Sequence, residues 1–193
     1  MVQKLILALG LLAPVFSTAA PFPGESLLRP QSGRFWSQRG FTLGTSGTAW
    51  KLDEKIPGPL NWSEVHAQLE GVTYSHNQYP TARLRVEVED LKGKATLESY
   101  TKRWVKDYYQ YGFKILANKP MKLNGVPTVV YDLLSRNQDV QIRQIIQVNQ
   151  GRAVVLTCSD ERLNFAKSVP ACNAIAGKIE WKSVPAKANK TRL

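Results

Sequence analysis

The fold is decided by residues 124–158, which read NGVPTVVYDLLSRNQDVQIRQIIQVNQGRAVVLTC. Turn-forming clusters divide this stretch into three apolar runs, and Asn124-Gly125 is the strongest of the turn signals. Connections this short join antiparallel neighbours, because a parallel pair of strands needs a long crossover. We therefore predict an antiparallel meander whose three strands cover Pro127–Leu134, Val140–Val148 and Arg152–Cys158.

The last strand of the meander differs from the other two. Residues 153–156 read AVVL, with no polar residue among them. A continuously apolar strand is typical of the centre of a sheet that is covered on both faces. The middle strand alternates instead, except at Gln144 and Ile145, and Lys114–Ala117 predicts a short strand before the meander.

Upstream of the meander, residues 81–89 alternate between apolar and charged side chains. This period of two predicts a half-buried strand with its charged residues on the solvent side. The two sets are Ala82, Leu84, Val86 and Val88 on one side and Arg83, Arg85, Glu87 and Glu89 on the other. Shorter strands are predicted for residues 41–43, 49–52 and 72–76.

Two helices are predicted. The first covers Leu97–Phe113, with Thr96 as its N-cap and one aromatic stripe that faces the core. The stripe consists of Leu97, Tyr100, Trp104, Tyr108 and Tyr111. The second helix follows the central strand and continues to Ile179, with Ser159 as its N-cap and a kink or break at Pro170.

Cys158 and Cys172 are the only cysteines in the chain. In an exported protein an even pair favours a disulfide, which here would join the central strand to the second helix. A redox pair is one alternative, but it favours the C-x-x-C spacing. A zinc site needs about four ligands, and the only histidines, His66 and His76, lie far from both cysteines in sequence. We therefore expect a structural disulfide.

Residues 1–19 have the features of a secretory signal peptide. Lys4 precedes the apolar run Leu5–Phe16, and small residues then lead to a cleavage site near Ala19. An uncleaved anchor is the alternative, but spanning a bilayer takes roughly 20 apolar residues. The protein is therefore predicted to be exported, either to the periplasm or out of the cell. Beyond the signal peptide we expect an extended arm over residues 20–40, a single domain over 41–182 and a disordered basic tail over 183–193.

The chain is strongly basic, with 26 lysines and arginines against 15 acidic residues and a formal net charge of +11. Removal of Lys4 with the signal peptide lowers this charge by only one. Such an excess favours anionic neighbours, for example lipid headgroups or acidic proteins. Many exported proteins are basic without such a partner, so a purely solvated charge stays open as the alternative. No basic run interrupts the domain, and nucleic acid is not expected as a partner.

No catalytic signature is complete. The segment from Ser99 to Lys102 matches the S-x-x-K pattern of penicillin-interacting enzymes, but the companion K-T-G is absent. The patterns of nucleophile elbows, zinc proteases and phosphate loops are also absent. Asp160 and Glu161, at the predicted start of the second helix, are explained by the helix macrodipole. We therefore predict no enzymatic activity, no metal site and no cofactor.

One surface is left as a candidate binding site. Lys102, Lys106 and Tyr109 are predicted on the outward side of the first helix, with Arg103 beside them. Cations interleaved with an exposed aromatic ring can hold acidic or aromatic partners. The alternative is an ordinary solvated helix face.

The order of these elements resembles the PsbP/DcrB-like superfamily. The resemblance rests on the NG-x-P turn in Leu123–Pro127, on the meander and helix that follow as far as Trp181, and on Gly40–Leu43 followed by Trp50. It covers about residues 40–182 and implies an α+β fold, in which an antiparallel sheet meander has helices packed on both faces as an α/β/α sandwich. The resemblance also implies a non-enzymatic accessory, assembly or binding role, commonly in an exported protein. The cysteine pair is not part of the family pattern.

We therefore expect an exported accessory protein that binds another envelope or secreted protein through its sheet edge or its basic helix. The first alternative is a protein that binds an anionic surface, either a membrane or a polyanion. The second is a hydrolase with an unrecognised nucleophile, for which Ser99 is the candidate.

Overall fold

The computed structural model describes residues 27–29, 34–36, 40–53, 70–91, 93 and 95–182. The predicted signal peptide and the predicted basic tail lie outside these residues, as does His66. Only two short segments of the predicted arm are described before Gly40.

Strands dominate the described part of the chain, and two helices accompany them. In chain order the elements are β1 (Leu27–Arg29), β2 (Arg34–Trp36), β3 (Phe41–Gly44), β4 (Trp50–Leu52), β5 (Glu70–His76), β6 (Arg83–Asp90), α1 (Leu97–Gln110), β7 (Lys114–Leu123), β8 (Val126–Leu134), β9 (Val140–Asn149), β10 (Arg152–Glu161), α2 (Arg162–Ala176) and β11 (Ile179–Trp181).

Seven of these strands form one antiparallel sheet in the order β4-β5-β6-β10-β9-β8-β7. The predicted meander is confirmed, and β10 is the fourth of the seven strands, buried from Arg152 to Cys158. Asn124 and Gly125, with φ values of 52° and 78°, form the two-residue turn between β7 and β8. Positive φ at both positions is required by a type I′ turn, whose twist matches that of the flanking strands.

Alternate residues of β10 belong to two different hydrophobic clusters. Val155 packs in one cluster with Tyr108 of α1. Val154 and Leu156 pack in the other cluster with Ile175 of α2. Because successive side chains of a strand point to opposite faces of a sheet, the two clusters lie on opposite faces.

A second sheet, of four strands in the order β1-β2-β3-β11, adds to the cluster that contains α2. Phe41 and Leu43 of β3 are completely buried there. β1 and β2 lie within the predicted arm and pair with each other and with β3. The short strands predicted on either side of residues 44–47 are both present, but β3 belongs to the small sheet and β4 to the large one.

α1 and β7 both end elsewhere than predicted. α1 ends at Gln110, because the chain turns at Gly112, whose φ of 78° is left-handed. Tyr111 consequently leaves the buried stripe and is 44% exposed. β7 extends over ten residues rather than over Lys114–Ala117 alone. Most of its side chains are exposed, which explains why its sequence carries no alternating pattern.

The second helix is shorter than predicted. Ser159 is still part of β10, and α2 begins at Arg162 without a side-chain cap. Pro170 lies inside the helix without dividing it. After Gly177 the chain turns, and Ile179 belongs to β11, which pairs with β3.

Two polar side chains are buried in the large sheet. Gln144 interrupts the apolar pattern of β9 because its side chain accepts a hydrogen bond from the Tyr108 hydroxyl and donates one to Thr157 Oγ1 at 3.0 Å. Glu87, predicted on the solvent side of β6, is only 3% exposed. Its carboxylate accepts a hydrogen bond from Arg85 Nε at 2.8 Å, which compensates its charge.

The predicted disulfide is confirmed between Cys158 on β10 and Cys172 on α2, with their Cα atoms 6.1 Å apart. Close to it, Trp50 Nε1 on β4 donates a hydrogen bond to the Ala171 carbonyl at 3.2 Å. A covalent bond and a hydrogen bond to two different strands therefore hold α2 against the sheet.

Candidate binding surfaces

The predicted surface on α1 has the expected exposure. Lys102 and Lys106 are exposed, and Tyr109 is 64% exposed. Arg103 is more constrained, because its guanidinium donates to Glu89 Oε2 at 2.7 Å and lies 4.9 Å from the centre of the Tyr100 ring. These four predicted residues thus lie on the same helix, but Arg103 is directed towards β6 rather than outwards.

The cations of this surface are largely neutralised by neighbouring acids. Lys102 Nζ pairs with Glu98 at 3.0 Å, and Arg103 pairs with Glu89. Exposed pairs of this kind contribute little to stability, but they do reduce the net charge that a partner would meet. The α1 surface therefore offers an exposed aromatic ring and one lysine, Lys106, that forms no ion pair with the described residues. It does not offer a strong positive field.

Ser99, the candidate nucleophile, has a structural role at the start of α1. Its Oγ accepts a hydrogen bond from the Thr96 backbone N–H at 2.9 Å, and Thr96 Oγ1 accepts one from the Ser99 N–H at 3.2 Å. This reciprocal arrangement is a capping box, which satisfies two otherwise unpaired N–H groups of the first turn. Lys102, the companion residue of the motif, is paired with Glu98 instead.

His76 is enclosed at the end of β5. Its ring lies 5.0 Å from that of Trp50 and 4.8 Å from that of Tyr79. Its Nδ1 accepts hydrogen bonds from the N–H groups of Gln78 and Tyr79, at 3.1 and 3.2 Å. Burial lowers the pKa of His76, while the negative charge of Asp160 opposes that shift. The imidazole is therefore a neutral acceptor at neutral pH, fixed within a turn.

Asp160 lies at one end of the large sheet and lines a cavity of about 520 Å³. Its side chain is 2% exposed, and its Oδ1 accepts hydrogen bonds from Thr81 Oγ1 at 2.5 Å and from the Glu161 N–H at 2.8 Å. Its Oδ2 has no hydrogen-bond partner among the described residues. The lining consists of Pro80, Thr81, Arg83, Phe113, Ser135, Val140, Ile142, Ser159, Asp160 and Glu161.

Among the described strands, β7 is an edge of the large sheet with no neighbour on its outer side. In a type I′ hairpin the two residues that flank the turn, here Leu123 and Val126, exchange backbone hydrogen bonds, and every second pair beyond them does the same. The intervening residues Asn118, Pro120 and Lys122 therefore direct their backbone groups away from β8. Because proline has no N–H, Pro120 offers only its carbonyl to a further strand.

The side chains of β7 are basic and partly apolar. Lys114, Lys119 and Lys122 are exposed, and the strand contains no acidic residue. Leu116 and Met121 are 45% and 40% exposed, which is high for side chains of their size. The strand thus combines positive charge with apolar surface, a combination typical of interaction sites.

A groove of about 500 Å³ runs between β7 and α2. Across its floor, Asp132 on β8 accepts two hydrogen bonds from Arg143 on β9, at 2.8 and 2.7 Å, and Arg143 also donates to Asn173 of α2 at 3.0 Å. The hydrogen bonds to Asp132 raise the pKa of Arg143. The groove is lined by Ala117, Asn118, Lys119, Met121, Leu123, Val130, Asp132, Arg143, Ile145, Asn173 and Ala176.

Sequence reasoning missed both the groove and the cavity. Asp160 was assigned to the start of a helix, whereas it is the penultimate residue of β10 and its carboxylate is buried. The sequence did contain a signal for the buried carboxylate, because Asp160 follows the apolar run 153–156 by only four residues. In the described ranges no group of three or more His, Cys, Asp or Glu side chains is placed to hold a metal ion. Neither α1 nor α2 has the length and apolar character needed to cross a membrane.

Two solved structures show the fold. The solution structure of cyanobacterial PsbP (CyanoP) from Synechocystis sp. PCC 6803 superposes with a TM-score of 0.55 at 12% identity, over 77% of this chain and 91% of that one. The crystal structure of PA94 from Pseudomonas aeruginosa, a protein of unknown function described as a putative regulator, superposes with a TM-score of 0.50 at 14% identity. That match covers 72% of this chain and 99% of PA94. No family model and no curated protein matches the sequence. The likeness establishes a PsbP-like fold.

Proposed function

We propose that this chain, with its PsbP-like fold, is an exported accessory protein without enzymatic activity that binds another exported protein along β7. The observation that carries the proposal is the open edge strand, with its exposed lysines and apolar side chains beside the groove. CyanoP and PA94 share the fold, and neither description names an enzymatic activity. The disulfide supports export, because such bonds persist in oxidising compartments.

The partner segment that fits this surface is acidic and carries at least one apolar side chain. Lys119 and Lys122 provide the charge complementarity, and the groove beside Met121 accepts the apolar anchor. Pro120 interrupts the outward row of backbone donors, so recognition rests on side chains more than on addition of a β-strand.

Site-specific photo-crosslinking in the native host tests this proposal. A photoreactive residue at Met121 is expected to give one discrete adduct with an exported protein. The same residue at Lys167, which is exposed on α2 away from the groove, is expected to give none. The Lys119→Glu/Lys122→Glu double variant should abolish the adduct at Met121, whereas Lys167→Glu should leave it unchanged.

Recovery of the protein only as a free monomer, with no adduct at Met121 under low-salt conditions, would contradict the proposal. An adduct that survives the double charge reversal would also contradict it, because the positive charge of β7 would then have no part in binding.

The exposed face of α1 supports a second candidate, binding to an anionic lipid surface. Lys102, Lys106 and Tyr109 are exposed together there, and an aromatic ring beside cations suits the headgroup region of a bilayer. Binding to vesicles of phosphatidylglycerol should weaken between low and physiological salt and in the Lys102→Glu/Lys106→Glu variant. Salt-independent binding would argue against this candidate.

We also propose that the architecture is the α/β/α sandwich expected from the sequence. α1 contributes to the cluster that contains Val155, and α2 to the cluster that contains Val154. The small sheet shares the α2 side, so that layer contains both strands and a helix.

A further inference from the structure

We propose that the cavity at the end of the large sheet is a binding site for a small organic carboxylate with an apolar body. This site is separate from β7 and does not depend on the partner proposed for that strand. It lies where β10 passes into α2, close to the turns between β5 and β6 and between β8 and β9. Its volume of about 520 Å³ lies within the range of roughly 300–1,000 Å³ that is usual for small-molecule sites.

Three residues of the cavity lie in one row across the sheet. Ser159 on β10 is directly opposite Arg83 on β6 and, on its other side, Ile142 on β9. Side chains that lie directly opposite each other in antiparallel strands share one face of the sheet. Ile142 packs in the cluster that contains α1. The side chains of Arg83 and Ser159 therefore lie on the same face as α1.

The body of the ligand would meet apolar walls on that face. Phe113 and Ile142 belong to the cluster that contains α1, and Val140 packs against this cluster. All three residues line the cavity. Phe113 lies beyond the end of α1, where the helix no longer covers the sheet. An apolar wall with a few polar groups is typical of sites that bind small molecules.

Arg83 supplies the charge that would recognise a carboxylate. It is half-buried, and it is the only cation among the described residues that line the cavity. Its Nη1 donates to the carbonyls of Pro80 and Ala82, at 2.5 and 2.9 Å, which holds the guanidinium in place. Its Nε and Nη2 form no ion pair or hydrogen bond with the described residues. A guanidinium offers several donors in a planar fork that matches a carboxylate.

The hydroxyl of Ser159 provides a second donor beside Arg83. Directly opposite residues have Cβ atoms about 4.5–5.5 Å apart, so one carboxylate can contact both side chains. Ser159 is half-buried, as Arg83 is. Hydrogen bonds from a cation to a carboxylate are about twice as strong as those between neutral groups. The pair therefore favours a carboxylate over a neutral ligand of the same shape.

The two acids near the cavity leave the charge of Arg83 available. Asp160 follows Ser159 along β10, so its side chain points to the opposite face of the sheet. Glu161 is exposed, and its Oε2 accepts a hydrogen bond from Asn164 Nδ2 of α2 at 3.4 Å. The formal net charge of +11 also raises the local concentration of anions around the protein.

Isothermal titration calorimetry with 2-naphthoate tests the proposal. 2-Naphthamide has the same body and shape without the charge and is the matched ligand control. We expect saturable binding of 2-naphthoate, at least about tenfold tighter than that of 2-naphthamide. Arg83→Gln, which keeps a side-chain donor but removes the charge, should remove this preference. Lys167→Gln makes the same change of charge on the exposed side of α2 and should retain it.

The absence of saturable 2-naphthoate binding, or an affinity no higher than that for 2-naphthamide, would overturn the proposal. An unchanged preference in Arg83→Gln would overturn it as well. If Arg83→Gln fails to fold, the wild-type protein decides through a nitrogen-15 correlation spectrum recorded during the titration. The Nε–H signal of Arg83 and the amide signals of Ile142 and Ser159 are then expected to shift. Shifts confined to residues that line the groove beside β7 would contradict the assignment.

Discussion

At the centre of β9, the Gln144 side chain joins three elements. It lies directly opposite Thr157 on β10 and is hydrogen-bonded both to that residue and to Tyr108 of α1. All three side chains are buried, and burial raises the pKa of Tyr108 far above its usual range. The bonds therefore specify where α1 sits on the sheet in addition to adding stability.

Gln144→Leu is expected to lower the free energy of unfolding by about 2 kcal/mol, because it removes the partner of two buried hydroxyl groups. The Tyr108→Phe/Gln144→Leu/Thr157→Val triple variant should recover most of that loss, since all three polar groups are then replaced together. Urea denaturation of wild type and these two variants measures both effects. A triple variant less stable than Gln144→Leu would contradict the network.

His76 makes the stability of the folded protein depend on pH in a predictable direction. Because its pKa is lowered in the folded state, the unfolded chain binds a proton more readily. Stability is therefore complete above the unfolded pKa of about 6.5 and declines as the pH falls from there towards the folded pKa. Protonation of Nδ1 would also break the hydrogen bonds from Gln78 and Tyr79.

We expect the urea midpoint to fall between pH 7.5 and pH 5.5, and to fall less in His76→Gln, whose side-chain oxygen can still accept a hydrogen bond. The two proteins share every other titrating group, so the difference between them isolates His76. Equal declines in both would show that His76 makes no contribution.

Single residues also show where sequence reasoning was limited. The turn at Asn124-Gly125 was predicted correctly because a type I′ turn requires a left-handed backbone at both central positions, which Asn and Gly adopt at low cost. Glu87 was predicted on the solvent side of β6, but its carboxylate is buried and paired with Arg85 of the same strand. Gln144 was recognised only as a break in the pattern of β9, because its partner Tyr108 lies on α1, far away in sequence. No local sequence pattern indicates that Oδ2 of Asp160 is buried without a hydrogen-bond partner among the described residues.

At the level of the elements, the capping box at the start of α1 allows the hydrolase alternative to be tested through Ser99. Ser99→Ala removes one half of the capping box and is expected to cost about 0.5–1 kcal/mol, similar to Thr96→Ala, whereas Thr96→Ser should be nearly neutral. Thermal melts compare the three variants.

A serine-hydrolase probe should label wild type and Ser99→Ala to the same low extent. Labelling of wild type that disappears in Ser99→Ala would restore the catalytic assignment.

The elements that were predicted well are those whose burial is regular. β6, β8 and β10 have one or two buried faces, and their sequences carry that pattern. β7 has almost no buried face, and β11 is only three residues long, so neither has a recognisable period. The groove was not predicted for the same reason. Its walls are formed by β7 and by the end of α2, and neither was placed correctly from the sequence.

On the scale of the whole molecule, β7 is a ten-residue edge strand whose outward backbone groups are available to pair with a strand of another molecule. Pro120→Val would restore an outward N–H in the middle of a ten-residue edge strand. We expect self-association about tenfold tighter than that of wild type, the effect of one or two additional hydrogen bonds. Sedimentation equilibrium measures the change, with Pro127→Val on β8 as the control. Unchanged association would show that the outward direction assigned to Pro120 is wrong.

The bridge between β10 and α2 has a consequence for how the chain matures. A one-residue slip of β10 would turn the Cys158 side chain to the face opposite Cys172, and the two sulfurs would be out of reach of each other. Oxidation thus succeeds only in chains whose central strand is correctly aligned. Misaligned molecules keep two free thiols, and a thiol-reactive reagent applied after export would count them.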